Sequence, residues 1–267
     1  GARSQKPMSQ VDLRVHDFLG KEGEKMLPGY RYVWVAPVLG DSYGSSADHT
    51  YGRVGAFSVG IELNAPQQDF NGDKNVSPDE VMKFNDELTQ GRMFVSWKAF
   101  QHPQYGEIEI GGFKHDTGRP PEGFLSVEEY HRNAMYVIYH GFHLPRLKIE
   151  EPSVVKVKSG LYRLHISVLN DRMIPSVAGI VQQNKIHRQD LATISGAKVL
   201  SSGIVDDPYL NKVRLQEHRP ERLFVSGGVD GASTKTLMFL IEGVPGKVTF
   251  TYDSIKAGKL SKEILLP

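Results

Sequence analysis

The chain has 267 residues, of which 39% are hydrophobic and 24% are charged, and it contains no cysteine. This amount of apolar material is enough for one or two folded domains and excludes a disordered or fibrous chain. Disulfides, iron–sulfur clusters, thiolate zinc sites and cysteine nucleophiles are excluded by the lack of cysteine. The net charge is +1, and the chain lacks the Lys/Arg excess that is typical of nucleic-acid-binding proteins. We therefore expect no nucleic-acid partner.

The first 149 residues are predicted to form an α/β layer. Apolar residues at helical spacing predict a helix over 9–27, and runs rich in β-branched and aromatic residues predict sheet strands over 30–38 and 56–63. Such nearly continuous apolar runs suit strands that are covered on both faces. A helix is predicted over 78–90, and a capping box at the start of 126–143 predicts another.

After residue 149 the sequence pattern changes. Short alternating segments, separated by turn residues, are typical of an antiparallel β-sandwich. They read SVVKVKSG, LYRLHISVLN, GAKVLSSG, RLFVSGG, TKTLMFLIEG and GKVTFTYDS. We therefore predict two domains, 1–149 and 150–267, with the boundary between Leu147 and Pro152. No stretch reaches the roughly 18 apolar residues of a membrane span, so none is expected.

A family resemblance covers roughly residues 9–149. The stretch GSSADHTYGRVGAFSVGIELN, which contains Asp48 and Glu62, resembles the segment around the catalytic glutamate of M14-type zinc carboxypeptidases. HPQYGEIEIGGF (102–113), PPEGFLSVEEYHRNAMYVIYH and LPRLKI resemble the later part of bacterial members that carry a C-terminal β-domain. The fold class implied is α/β, a partial carboxypeptidase-like α/β/α domain, followed by an antiparallel β-sandwich.

The resemblance implies roles for four positions. Glu62 matches the general acid/base that works on a zinc-activated water, and an acidic side chain at the end of an apolar strand is costly to bury without such a role. Substrate-binding positions match Ala47 and Asp48, and Tyr43 could serve as the mobile tyrosine only if its loop is re-routed. A small residue such as Ala47 favours an open or apolar pocket.

The zinc ligands of the family precede the helix predicted at 9–27, so this chain is expected to contain none. It is therefore predicted to be inactive alone and to be the C-terminal part of a longer metallocarboxypeptidase, a hydrolase with zinc as its cofactor. In that parent, the missing N-terminal half of the catalytic domain and a peptide substrate are the expected partners. Half of an α/β domain exposes strand edges, which makes a homo-oligomer possible. Bacterial members are commonly exported, which favours a periplasmic or extracellular location.

Residues 69–80 read DFNGDKNVSPDE and resemble an EF-hand or dockerin calcium loop. Calcium prefers six to eight oxygen ligands, and this spacing supplies them. The ligands would be Asp69, Asn71, Asp73, the backbone carbonyl of Asn75, Ser77 and Glu80. Lys74 stands where a glycine is usual. The same residues also fit a plain turn followed by a capping box with Pro78 at the first helical position, so both interpretations stay open.

A second function class is a non-enzymatic binding module. In this hypothesis the sandwich binds a peptide, a glycan or a partner domain, and residues 1–149 are a degenerate peptidase scaffold. The sequence upstream of this chain discriminates between the two, because only the enzyme needs a His-x-x-Glu pair and a later His there.

Overall fold

The computed structural model describes residues 8–40, 44–63, 68–73, 75–115, 124–210 and 212–267. The chain divides into two compact units. Unit 1 consists of Gly1–Leu19, Trp34–Val59 and Tyr139–Pro267, and unit 2 consists of Gly20–Val33 and Gly60–Ile138. These limits differ from the predicted boundary near residue 150, because Val15, Leu19 and Phe57 share a buried apolar cluster with Ile174, Val177, Ala178 and Val181.

The longer helices lie close to where the sequence predicts them. The six helices of the described part are α1 (Gln10–Met26), α2 (Val35–Leu39), α3 (Ser46–His49), α4 (Pro78–Glu87), α5 (Phe124–Phe142) and α6 (Gly179–Asn184), with a π-helix at Thr50–Val54. α4 begins with the capping box of Ser77 and Glu80 and with Pro78 at its first position. α5 begins two residues before Ser126, so the capping box predicted there is not the start of the helix.

The two strands predicted over 30–38 and 56–63 are wrong. Residues 30–34 have no regular secondary structure, and the short helix α2 follows them. Residues 55–62 are irregular. A strand depends on hydrogen bonds to a neighbouring strand, and none of the sheets in the described part of the chain pairs with either segment. The α/β layer expected for this region is therefore not confirmed.

Unit 2 contains a two-stranded antiparallel hairpin that strand patterns had not indicated. Its strands are β1 (Phe94–His102) and β2 (Gly106–Phe113). Phe100 pairs with Ile108 and Ala99 with Glu109, and a β-bulge interrupts the register between Val95 and Lys98. Nearly every residue of β1 is exposed, so the alternation of buried and exposed residues that marks a strand is missing here.

Unit 1 contains the antiparallel β-sandwich that the sequence predicts after residue 149. Its ten strands are β3 (Leu147–Ile149), β4 (Ser153–Lys158), β5 (Leu161–Asn170), β6 (Asp190–Ser195), β7 (Lys198–Asp207), β8 (Lys212–Leu215), β9 (Arg222–Val225), β10 (Ser233–Glu242), β11 (Gly246–Ser254) and β12 (Gly258–Leu266). One sheet has the order β3-β5-β10-β7-β8, with β4 also paired to β5, and the other has the order β12-β11-β6-β9.

The core of the sandwich is formed by side chains from both sheets. β5 alternates without a break between partly and fully buried residues, as expected for a strand with one face on the core. Phe239 of the six-stranded sheet and Phe250 of the four-stranded sheet are both fully buried, and their ring centroids lie 6.0 Å apart in a T-shaped contact. The two sheets therefore enclose one apolar core.

Candidate functional site

Glu62, the expected acid/base residue, lies in an irregular segment of unit 2 rather than at the end of a strand. The residue is exposed. The cost of burying a carboxylate, which had supported a functional role, therefore does not apply in this structure.

Asp48 and Ala47, two of the expected substrate-binding residues, belong to unit 1 and lie on α3. The Asp48 carboxylate accepts a hydrogen bond from the amide of Ser45 at 3.3 Å, and the Ser45 hydroxyl accepts one from the Asp48 amide at 3.1 Å. The Ala47 carbonyl accepts from the hydroxyls of Thr50 and Ser58. The contacts between Ser45 and Asp48 cap the start of α3, and those of the Ala47 carbonyl hold residues that follow the helix. Tyr43 lies outside the described residues.

The acidic loop at 69–80 is closed on itself by Glu80. One oxygen of this carboxylate accepts from the amides of Phe70 and Asn71, at 3.0 and 3.3 Å, and the other accepts from the amide and the hydroxyl of Ser77, both at 2.9 Å. These hydrogen bonds, those of Ser77 first, hold the pKa of Glu80 below its ordinary value. Glu80 is therefore ionised at neutral pH and joins the two ends of the loop.

The oxygen ligands expected for calcium point into local turns within the loop. An Asp69 carboxylate oxygen accepts from the Gly72 amide at 2.7 Å, the Asn71 side-chain oxygen from the Asp73 amide at 2.8 Å, and an Asp73 oxygen from the Asn75 amide at 2.7 Å. Carboxylate, amide and hydroxyl oxygens are the ligands that Ca²⁺ prefers. Within the described ranges, no group of three or more His, Asp or Glu side chains is arranged to hold a metal ion.

A buried polar cluster in unit 1 was not anticipated from the sequence. Asp12 of α1 is fully buried, and its carboxylate accepts from the amides of Gly179 and Ile180, both at 2.8 Å, and from the Tyr51 hydroxyl at 2.7 Å. Asp12 thereby caps α6. A side chain on Gly179 would come within 3.0 Å of the same carboxylate, so glycine allows this close approach.

The sequence does contain a sign of this cluster. Asp12, Val15 and Leu19 recur at helical spacing, and all three are buried in the structure. A carboxylate on the apolar face of an amphipathic helix needs hydrogen-bond partners. Its partners could not be identified from the sequence, because Gly179 follows Asp12 by 167 positions.

His16 lies beside this cluster among aromatic rings. Its ring centroid is 5.8, 5.5 and 5.1 Å from those of Trp34, Tyr51 and Phe57. The side chain is 7% exposed, and its buried Nε2 has no hydrogen-bond partner among the residues that the structure describes. Burial lowers the pKa of His16, opposed by Asp12 and Asp17 and assisted by His140. The imidazole is therefore neutral at pH 7.

Part of the chain matches a known family model. Residues 146–265 match a family described as a domain of unknown function, DUF8731. The match covers the sandwich from β3 through all but the last residue of β12. No curated protein matches this sequence significantly.

Two solved structures match part of this chain. The β-glucosidase DesR from Streptomyces venezuelae, in complex with D-glucose, is 10% identical over 46% of this chain and 15% of its own, with a TM-score of 0.21. The GAE domain of yeast GGA1 is 16% identical over 46% of this chain and 92% of its own, with a TM-score of 0.19. This chain thus spans 15% of the length of the glucosidase, and neither TM-score is high enough to assign a fold or a function.

Acidification is expected to destabilise unit 1 through His16. Because the folded-state pKa of His16 lies below its ordinary value of 6.5, the unfolded chain binds the proton more readily. The contribution of the neutral His16 side chain to the free energy of unfolding is complete above pH 6.5. It is lost as the pH falls from 6.5 towards the lower pKa of the folded state. Urea unfolding between pH 8 and pH 5 measures this loss.

His16→Phe is the test variant, because it retains the ring contacts and removes the buried nitrogen. Its stability should depend less steeply on pH than that of the wild type. His218→Gln is the matched control at an exposed position, and it should retain the wild-type dependence. Equal slopes for the wild type and His16→Phe would contradict the assignment.

Proposed function

We propose that this chain is the C-terminal part of a metallocarboxypeptidase-like hydrolase, followed by a β-sandwich, and that Glu62 transfers protons in the longer protein. The proposal combines the resemblance around Asp48 and Glu62 with the exposure of apolar side chains in and before α2.

No helix in the described part of the chain is long and apolar enough to cross a membrane. We keep an exported location as part of the proposal, on the resemblance alone.

The observation that carries the proposal is a group of exposed apolar side chains in α2 and directly before it. Val35 is 52% and Val38 is 58% exposed, and Val33 and Trp34 are also exposed. Exposed apolar side chains that lie close together in sequence are typical of a surface that contacts a partner. In the longer protein, the missing half of the catalytic domain would cover these side chains of α2 and of the residues directly before it.

Glu62 would act in the longer protein as the general base and then the general acid. Its carboxylate would accept a proton from the attacking water and deliver it to the leaving amine. The described residues do not provide a set of zinc ligands. A zinc ion, which polarises the scissile carbonyl and acidifies water, would be held by the N-terminal half of the catalytic domain.

The experiment compares this chain with the longer natural protein. Both are incubated with zinc and peptides, and the release of C-terminal amino acids is measured. The longer protein should be active and inhibited by chelators, whereas residues 1–267 alone should be inactive. Zinc-dependent release by the isolated chain would contradict the proposal. A longer protein that binds peptides without hydrolysing them would support the binding-module hypothesis instead.

We also propose that the loop at 69–80 binds calcium. Glu80 already brings the two ends of the loop together through the amides of Phe70, Asn71 and Ser77. In the same loop, the carboxylates of Asp69 and Asp73 accept hydrogen bonds from the amides of Gly72 and Asn75. Carboxylate oxygens are ligands that calcium prefers, and coordination of the ion would replace these turn contacts.

Calcium titration should give a saturable heat at neutral pH, measured by isothermal calorimetry. Asp73→Asn should weaken binding at least tenfold, because calcium affinity depends strongly on the number of ligand charges. Asp79→Asn is the matched control, since Asp79 lies in the same loop, is exposed and is outside the ligand pattern. No heat at millimolar calcium, or equal losses in both variants, would contradict this site.

A further inference from the structure

We propose that one face of the β1–β2 hairpin binds basic peptide segments, with Trp97 receiving a lysine or arginine side chain and Glu107 and Glu109 pairing with neighbouring cations. This binding surface goes beyond the proposed hydrolase, because it needs neither zinc nor Glu62. It is built from three observations on unit 2, namely the placement of the indole, the two carboxylates beside it and the charge of the surrounding chain.

Trp97 forms an open aromatic surface. It is 60% exposed. A Cβ atom on Gly111 would lie 2.6 Å from the Trp97 Cα atom and 3.0 Å from its indole Cδ2 atom, and one on Gly112 would lie 3.3 Å from Cζ2. The indole therefore rests on two bare glycines and leaves much of its ring system exposed to water. Tryptophan faces attract cations more strongly than other aromatic rings.

Two carboxylates extend this surface along the hairpin. In the register, Ala99 is paired with Glu109 and Gln101 with Glu107. Side chains of directly paired residues lie on one face of a sheet, as do residues two apart along a strand. Ala99 and Gln101 therefore share a face with Glu109 and Glu107. Trp97 lies in the β-bulge opposite Gly111, which is two residues from Glu109 on β2, so the indole borders the same face.

The carboxylates of this face are not neutralised within the described chain. Glu107 and Glu109 are exposed, and neither forms an ion pair with a described residue. The nearest lysine along the hairpin, Lys98, pairs with Ile110 and so lies on the opposite face. The two faces thus differ in charge.

The surrounding segment is also acidic. Residues 60–138 contain 7 Lys/Arg and 13 Asp/Glu, a net charge of 7 − 13 = −6, whereas the whole chain has +1. A negative field attracts cationic partners and speeds their association. An exposed indole flanked by unpaired carboxylates recognises an ammonium or guanidinium group, and a hairpin face of this length suits an extended peptide with several of them.

The test is calorimetric titration of the purified chain with a peptide of alternating lysine and glycine, acetylated and amidated at its ends so that no peptidase can shorten it. A peptide with glutamine in place of lysine is the control ligand. The lysine peptide should bind, the glutamine peptide should not, and added salt should weaken binding. Because the peptide is capped, a failure here is distinguishable from a failure of the proposed hydrolase.

Variants decide whether this face is responsible. Trp97→Leu and the double change Glu107→Gln with Glu109→Gln should each weaken binding about tenfold, and Trp97→Phe should retain most of the affinity. Lys98→Gln, on the opposite face, should leave the affinity unchanged or increase it. Equal binding of both peptides, no binding at millimolar peptide, or unchanged affinity in the Trp97→Leu and Glu107→Gln/Glu109→Gln variants would overturn the proposal.

Discussion

Asp12→Ala is expected to lower the free energy of unfolding of unit 1 by about 3 kcal/mol. The carboxylate of Asp12 is fully buried and accepts three hydrogen bonds, from Tyr51, Gly179 and Ile180. A hydrogen bond to a charged group contributes roughly 1.5–3 kcal/mol, and each buried donor left without a partner costs about 1–3 kcal/mol. Urea unfolding, followed by the fluorescence of Trp34 in a Trp97→Phe background, measures the effect.

Two variants of the same cluster separate its contributions. Tyr51→Phe removes one donor and keeps the ring beside His16, so it should cost about 1 kcal/mol. Asp12→Asn retains one acceptor oxygen and should be intermediate. A loss below 1 kcal/mol in Asp12→Ala would show that water replaces the carboxylate, and the cluster would then not anchor α6.

Under the proposed function, Glu62→Gln in the longer protein is expected to abolish most peptide hydrolysis while leaving the zinc content unchanged. The amide has nearly the shape of the carboxylate but cannot accept a proton. General acid–base catalysis contributes about 10²–10⁴-fold, which is the expected loss in kcat. Metal content is measured by mass spectrometry on the same samples, so that loss of metal is distinguished from loss of proton transfer.

Glu87→Gln is the matched control for this experiment. Glu87 is an exposed carboxylate at the end of α4 and belongs to unit 2, as Glu62 does. This variant should retain full activity. A Glu62→Gln protein that hydrolyses peptides at the wild-type rate would exclude Glu62 as the proton-transfer residue.

Local patterns predicted the elements whose signal is carried by residues that are neighbours in sequence. The Ser77–Glu80 capping box and Pro78 locate the start of α4, and both act within one helical turn. The alternation in β5 locates a sandwich strand, because one of its faces is buried along its whole length. In both cases the signal is local, although the partner strand of β5 is the distant β10.

Elements that depend on distant partners were not predictable in this way. The run YRYVWVAPV has strand composition, but composition cannot supply the hydrogen-bonded neighbour that a strand needs. The hairpin β1–β2 was not predictable for the opposite reason. Nearly all residues of β1 are exposed, so its sequence lacks the alternation of apolar and polar residues that marks a strand with one buried face. For the candidate site, sequence identified the residues of the acidic loop, but the contacts of Asp12 only become visible in three dimensions.

The distance along the chain between Asp12 and its partners affects how the protein is made. Gly179 follows Asp12 by 167 residues. Because ribosomes add about 5–20 residues per second, the amides that bind the Asp12 carboxylate are synthesised about 10–30 s after α1. During this time the apolar side chains of Val15 and Leu19 lack their final neighbours. We therefore expect the nascent chain to recruit chaperones at its first helix, and unit 1 to fold only after the strands that follow residue 180 have been synthesised.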